Sequence, residues 1–101
     1  MTINQLRYFV AVAEHQSFTK AATQYYISQT AITQQVQVLE ETLGIKLIDR
    51  STRPISLTPG GAAFLGEAKI IIDRTESAIQ RSREASTGLT GSLRIGYTKG
   101  Y

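Results

Sequence analysis

Residues 17–43 carry two short helical patterns with only a tight turn between them, and this arrangement limits the fold more than any other feature of the sequence. Ser17 and Ser28 each stand immediately before one pattern, where a side-chain oxygen caps the first turn of a helix. Ala21 and Ala22 give the first helix a small apolar face, which lets the second helix pack closely against it. The segment therefore predicts a helix-turn-helix unit.

The helix expected over residues 29–43 has two chemically different faces. Its apolar residues recur at spacings of four, three and four from Ile32 to Leu43, which forms one stripe for a core. The opposite face carries uncharged hydrogen-bonding side chains, those of Gln29, Thr30, Thr33, Gln34 and Gln37. Glutamine forms paired hydrogen bonds with adenine, and threonine has a hydroxyl and a methyl group that suit thymine. This face is suited to reading DNA bases, although an ordinary solvated face can have the same composition.

Two features near this helix are expected to lie outside such an interface. Tyr26, in the turn, is expected to bury its ring and to keep its hydroxyl at the surface, although it could also stack or bond to a phosphate. Glu40 and Glu41 lie at the far end of the helix, where they need not meet phosphate and are unfavourable to the helix dipole.

Short strands follow the third helix, which is expected to end at Gly44. Residues 45–49 and 55–57 read as two strands, and the polar hairpin between them contains Arg50 and Arg53. A basic hairpin beside a helix-turn-helix is well placed to enter a minor groove or to hold phosphate, although it can also be simply solvated. With a supporting helix before residue 15, residues 1–58 are predicted to form a winged helix-turn-helix.

A long helix is predicted next, because Thr58 is a cap and Pro59 suits the first helical position. It runs to about residue 86, which corresponds to roughly 42 Å at 1.5 Å per residue. Its apolar and small residues alternate at spacings of three and four, as in a coiled coil. Residues 59–87 are therefore predicted to link and dimerise two copies, through Leu65, Ala68, Ile71, Ile72, Thr75 and Ile79.

The sequence changes character after Thr87. Gly88, Gly91 and Ser92 predict a hinge, and residues 93–97 alternate as a single strand. Since a lone strand is not stable by itself, residues 88–101 are expected to be the hinge and first strand of a truncated second domain. The fold class is accordingly mainly α, with a winged helix-turn-helix followed by a long linker helix.

Composition mainly indicates which classes of function are not expected. The 101 residues are 42% hydrophobic and suit one small core, and the 11 basic and 8 acidic residues give a net charge of +3. There is no cysteine, His15 stands alone, and no catalytic pair or phosphate-binding loop is recognisable, so no enzyme activity, metal or cofactor is expected. Without a signal peptide or a membrane-spanning run, a cytoplasmic protein is expected.

Several segments in order resemble one family. QLRYFVAVAEHQSFTKAA, SQTAITQQVQVLEETLGIKLIDR and LTPGGAAFL closely resemble the N-terminal region of LysR-type transcriptional regulators, and GSLRIGY resembles the first strand of that family's effector domain. The resemblance implies a winged helix-turn-helix and a linker helix that forms an antiparallel coiled coil in a homodimer. It also implies a C-terminal domain, missing here, that senses a small-molecule effector, and higher oligomers are possible in an intact protein.

The resemblance also implies particular contacts with double-stranded DNA. The residues that would read bases are Ser28, Gln29, Thr30, Thr33 and Gln34, with Arg53 from the wing; Ser17, Thr19 and Lys20 would meet phosphate. Thr30, Gln34 and Ile48 depart from the usual proline, basic residue and phenylalanine. The changes at Ile48 and Gln34 alter wing packing and remove a cation, so affinity is expected to depend more on Arg50, Arg53 and dimerisation. We expect a dimer on an interrupted palindrome; the alternative is a winged-helix protein-interaction module without DNA binding.

Overall fold

The computed structural model describes residues 1–87, which are mainly helical and form a winged helix-turn-helix followed by a long helix. The elements in chain order are α1 (Ile3–His15), α2 (Phe18–Gln24), α3 (Gln29–Leu43), β1 (Ile48–Asp49), β2 (Ser56–Leu57) and α4 (Pro59–Thr87). The predicted hinge and strand at residues 88–101 lie outside the described residues. No helix in the described range has the length and apolar character needed to cross a membrane.

The helix ends follow the predicted caps. Thr2 and Gln5 form a capping box at α1, with reciprocal hydrogen bonds of 3.1 Å between each side chain and the other backbone N–H. The Ser17 and Ser28 hydroxyls accept hydrogen bonds from backbone groups in the first turns of α2 and α3. Gly44 ends α3 with a φ of +74°, a left-handed conformation in which a residue without Cβ is favoured.

The wing is a shorter sheet than the sequence predicts. Antiparallel pairing joins Ile48 to Leu57 and Asp49 to Ser56, whereas the first strand was expected from residue 45. The difference arises because the chain before β1 is bonded to α3: the N–H of Ile45 donates to the Glu40 carbonyl and that of Leu47 to the Glu40 carboxylate. These groups are therefore not available to a longer ladder.

The core lies between the three helices of the head and the start of α4. Its largest fully buried side chains are Phe9, Val12, Ile32, Val36, Leu39 and Leu47. The rings of Phe9 and Phe64 lie 5.8 Å apart, and Ala68 is fully buried, so the first turns of α4 share this core. Two ion pairs also join α1 to α4, Arg7–Glu76 at 3.3 Å and Glu14–Lys69 at 3.0 Å.

Gly61 allows α4 to begin against the wing. A Cβ at this position would overlap the backbone carbonyl of Leu47, whereas a Cβ at Gly66 would meet nothing within 4 Å. Thr58 joins the same segments, because its hydroxyl donates to the Lys46 carbonyl and accepts from the Gly61 N–H. The position of α4 therefore depends on a close backbone approach that only glycine permits.

Candidate nucleic-acid interface

The polar side of α3 is left bare by packing. Ile32, Val36 and Leu39 are fully buried on one side of this helix, as its apolar stripe predicts. On the other side, Gln29, Thr30, Gln34 and Gln37 are exposed and Thr33 is partly buried. The described part of the chain thus presents amide and hydroxyl groups to solvent along the first half of α3.

A hydrogen bond links the exposed starts of α2 and α3. The Thr19 hydroxyl donates to Oε1 of Gln29 at 3.0 Å, and the Thr19 carbonyl accepts from the Thr23 hydroxyl at 3.1 Å. In this geometry, the Gln29 Nε2 group keeps both of its N–H donors for another partner. The structure thus brings together two residues that the sequence analysis assigned to different roles.

Ser17 and Ser28 are occupied as helix caps but keep donor capacity. Each hydroxyl oxygen accepts one backbone N–H, at 3.1 Å from Lys20 and 3.0 Å from Ala31 respectively. The proton of each hydroxyl stays available, because a hydroxyl can donate and accept at the same time. Lys20 is exposed next to the Ser17 cap.

The wing tip carries an exposed arginine whose side chain folds back on the hairpin. Nη1 of Arg53 donates to the carbonyls of Arg50 at 2.6 Å and Thr52 at 2.9 Å. The remaining guanidinium N–H groups are not used by these two bonds. Arg53 is therefore fixed at one nitrogen and has further donors for an outside ligand.

The base of the hairpin is tightened by Asp49. Its carboxylate accepts hydrogen bonds from the Ser51 hydroxyl at 2.5 Å and the Ser51 N–H at 2.9 Å. These bonds, chiefly that of the Ser51 side chain, hold the pKa of Asp49 below its usual value because they stabilise the carboxylate. Asp49 thus stays negatively charged and shapes the turn that carries Arg53.

The guanidinium of Arg50 is turned toward the protein and contacts residues of α2 and α3. Its guanidinium carbon lies 4.6 Å from the centroid of the Phe18 ring, and its Nη2 lies 4.0 Å from Oε1 of Glu40. That Nη2 atom is buried and makes no hydrogen bond, while the side chain as a whole is 38% exposed.

Sequence reasoning missed the role of Glu40. This residue is 5% exposed, and its Oε2 accepts the N–H groups of Leu47 at 2.7 Å and Ile48 at 3.2 Å. The signal in the sequence was its position, since a carboxylate in the last turn of a helix is unfavourable to the dipole unless other groups compensate it. Glu40 therefore connects α3 to the wing.

The prediction for Tyr26 was wrong. The residue is 95% exposed and has a φ of +56°, and its N–H donates to the Thr23 carbonyl at 3.2 Å. The left-handed backbone turns this side chain outward, and the flanking Tyr25 and Ile27 pack against the core in its place.

The structure places the predicted dimerisation residues of α4 at different depths, from fully buried to exposed. Ala68 is fully buried inside its own chain, so it has no surface for a second copy, and its assignment to the interface is corrected. Leu65 and Ile72 are partly buried against the same core. Ile71 and Ile79 are 38% and 45% exposed, and Thr75 lies between them with its hydroxyl donating to the Ile71 carbonyl. A three-and-four spacing identifies an apolar stripe but does not say which surface covers it.

Among residues 1–87 no three His, Asp or Glu side chains are grouped as metal ligands, and His15 instead contacts Gln24, with 2.8 Å between Nε2 and Oε1.

The chain is similar in sequence to curated relatives and in structure to solved proteins. The chain is 46% identical over 97 residues to the HTH-type transcriptional regulator TfdS of Cupriavidus pinatubonensis, a match that covers 96% of this chain and 33% of TfdS. It is 45% identical over 97 residues to the regulator ClcR of Pseudomonas putida, again with 96% and 33% coverage. The chain thus spans about a third of the length of these relatives.

Among solved structures, the complex of the BenM DNA-binding domain with benA site 1 DNA has a TM-score of 0.83 and 40% identity. The match covers 88% of this chain and 100% of that chain. The CbnR DNA-binding domain in complex with DNA has a TM-score of 0.80 and 45% identity, with 84% and 98% coverage. Residues 3–62 match the family model described as bacterial regulatory helix-turn-helix protein, lysR family. The chain therefore belongs to the LysR family.

Proposed function

We propose that this chain binds double-stranded DNA sequence-specifically as part of a LysR-type transcriptional regulator. The observation that carries the proposal is the division of α3, in which Ile32, Val36 and Leu39 are fully buried while Gln29 and Gln34 are exposed. A helix held by one side, with amides and hydroxyls on the other, can enter a major groove and present donors and acceptors to base edges. The likeness to DNA-bound family structures supports this function.

The proposed contacts fall into three groups. The start of α2 meets phosphate, α3 reads bases in the major groove, and the wing reaches the minor groove or the adjacent backbone. The residues are Ser17, Thr19 and Lys20 for α2, Ser28, Gln29, Thr30, Thr33 and Gln34 for α3, and Arg53 for the wing. Base contacts provide specificity, whereas phosphate contacts fix the register and most of the salt dependence.

The working form is proposed to be a homodimer through α4. Ile71 and Ile79 lie eight residues apart, on one face of the helix, and both remain exposed in a single chain. Pairing these faces would remove apolar surface from water and join two heads. Two heads related by a two-fold axis suit an interrupted palindrome, and linking them makes the second contact intramolecular.

The intact regulator is proposed to act in the cytoplasm without catalysing a reaction. Because the relatives extend well beyond the matched region, we place effector sensing and any assembly beyond the dimer in a region that this chain does not include. We therefore assign no effector contact to residues 1–87.

The test begins with selection of duplexes from a random-sequence pool by the wild-type chain. We expect enrichment of a sequence with two related half-sites, and an apparent Kd that rises steeply between about 50 and 200 mM salt. For variants that remove a glutamine of α3, Gln80→Ala serves as a matched control. Gln80 is an exposed glutamine on α4, remote from α3 in sequence. If no sequence is enriched, or if affinity is indifferent to salt, DNA reading is excluded and a protein-interaction module becomes the better explanation.

A further inference from the structure

Arg50 contacts both helices of the helix-turn-helix from its position in the wing. Its guanidinium lies 4.6 Å from the ring centroid of Phe18, the first residue of α2, and 4.0 Å from the carboxylate of Glu40 in α3. A guanidinium stacked on an aromatic face and facing a carboxylate is favoured by both the ring quadrupole and the charge. One side chain thus joins α2, α3 and the hairpin.

The carboxylate that faces Arg50 is itself fixed. Glu40 is 5% exposed and accepts two backbone N–H groups at the entrance to β1, those of Leu47 and Ile48. A buried carboxylate needs such partners to offset its lost hydration, and a nearby cation adds to the compensation. Glu40 therefore places a buried, hydrogen-bonded carboxylate 4.0 Å from the Arg50 guanidinium.

The backbone of Arg50 continues this chain of contacts to the wing tip. Its carbonyl accepts a hydrogen bond of 2.6 Å from Nη1 of Arg53, and the Thr52 carbonyl accepts a second from the same nitrogen. Because these bonds hold Nη1 of the Arg53 guanidinium, a shift of the Arg50 backbone would move that nitrogen.

We propose that Arg50 is a positioning residue that aims Arg53 at DNA, and that it does not bind phosphate itself. The sequence alone suggested the opposite, since both arginines belong to one basic hairpin. The buried Nη2 of Arg50 and its stacking on Phe18 favour the inward role. This inference rests on the proposed DNA-binding function.

A double-mutant cycle on the selected duplex distinguishes the two roles. Arg50→Ala should weaken binding about fivefold through loss of the stacked contact. In an Arg53→Ala background, the same change should alter Kd by less than about twofold, because the residue that it positions is already gone. The salt slope of the double variant should equal that of Arg53→Ala. Losses that multiply, with a further slope change of about 0.9 per head, would overturn the proposal.

Arg50→Lys provides a second test because lysine keeps the charge but not the planar stack. A positioning role predicts that Arg50→Lys binds as weakly as Arg50→Ala, whereas a phosphate ligand would be largely rescued. Thermal unfolding must show each variant folded at the assay temperature. If Arg50→Ala is not folded, Phe18→Leu removes the ring face and should weaken binding only while Arg53 is present; a loss that persists without Arg53 counts against the proposal.

The outcome also separates this inference from the function on which it rests. A wild-type chain that enriches no duplex overturns both. A wild-type chain that does so, with multiplicative losses at Arg50 and Arg53, keeps DNA binding and removes only the positioning role.

Discussion

The hydroxyl of Thr19 lies 3.0 Å from Oε1 of Gln29, so that one hydrogen bond joins the exposed first turns of α2 and α3. The bond connects a residue proposed to approach phosphate with one proposed to read a base. It also leaves the Nε2 donors of Gln29 free. The orientation of this amide is therefore coupled to the position of α2.

Gln29→Ala should change specificity more than general affinity. Loss of the amide is expected to cost about 1 to 3 kcal/mol at the base pairs that it reads and little on mixed-sequence DNA. Competition between the selected duplex and random duplexes measures this difference, with Gln80→Ala as the control. Equal losses on both kinds of DNA would remove the base-reading role of Gln29.

Thr19→Val should alter which base Gln29 prefers. Valine has nearly the shape of threonine but cannot donate to Oε1, so the amide is free to turn, and discrimination should change by about 1 kcal/mol. Repeating the duplex selection with this variant checks the result. Thr42→Val is a suitable control because the Thr42 hydroxyl donates to a carbonyl of its own helix, that of Val38. An unchanged base preference would show that the bond does not orient Gln29.

Arg53→Ala should weaken binding to many sequences alike. If the exposed guanidinium neutralises one phosphate in each head, the slope of log K against log salt becomes shallower by about 0.9 per head. Titrations at several salt concentrations measure the slope, and Arg81→Ala provides a control for loss of an exposed arginine on α4. A slope equal to that of the wild type would exclude a phosphate contact.

Gly61→Ala and Gly66→Ala should have opposite effects on stability. At Gly61 the added methyl overlaps the Leu47 carbonyl. Relief of this overlap should lower the free energy of unfolding by about 1 to 3 kcal/mol. At Gly66, where the space is open, alanine should stabilise the helix by roughly 0.5 to 1 kcal/mol. Chemical unfolding compares the two variants. Similar stabilities would contradict the close approach of α4 to the wing.

Ile79→Glu should weaken the proposed dimer. A charge replaces an apolar side chain in each copy, so the dimer dissociation constant should rise roughly tenfold or more. Sedimentation at several protein concentrations measures it, and Gln80→Glu introduces the same charge at the next position as a control. An unchanged dimer would place the interface on a different face of α4.

Local features of the fold were predictable because their causes lie within a few residues. Ser17, Ser28 and Gly44 cap helices through bonds to the adjacent turn, and Ile32 and Val36 face the core through simple helical periodicity. Each requires only the sequence immediately around it. The same reasoning identified the exposed amide face that supports the proposed function.

Features that depend on distant partners could not be predicted. The Glu40 carboxylate finds its donors at Leu47 and Ile48 only after the chain turns back on α3, and Gly61 is needed because Leu47 comes to lie beside it. Whether Ala68 contacts its own head or a second copy likewise depends on the three-dimensional path of α4. Periodicity shows that a surface is apolar, but the fold decides what covers it.

Because α1 and α4 share a core, the head and the first turns of the long helix form one packed unit. Phe64 and Ala68 hold α4 against α1, whereas every residue from 78 to 87 stands in solvent. Only Thr58 separates the wing from this helix, so no linker of several residues lies between them. A rotation of the first turns of α4 would consequently turn the packed head with them and change the direction in which α3 faces.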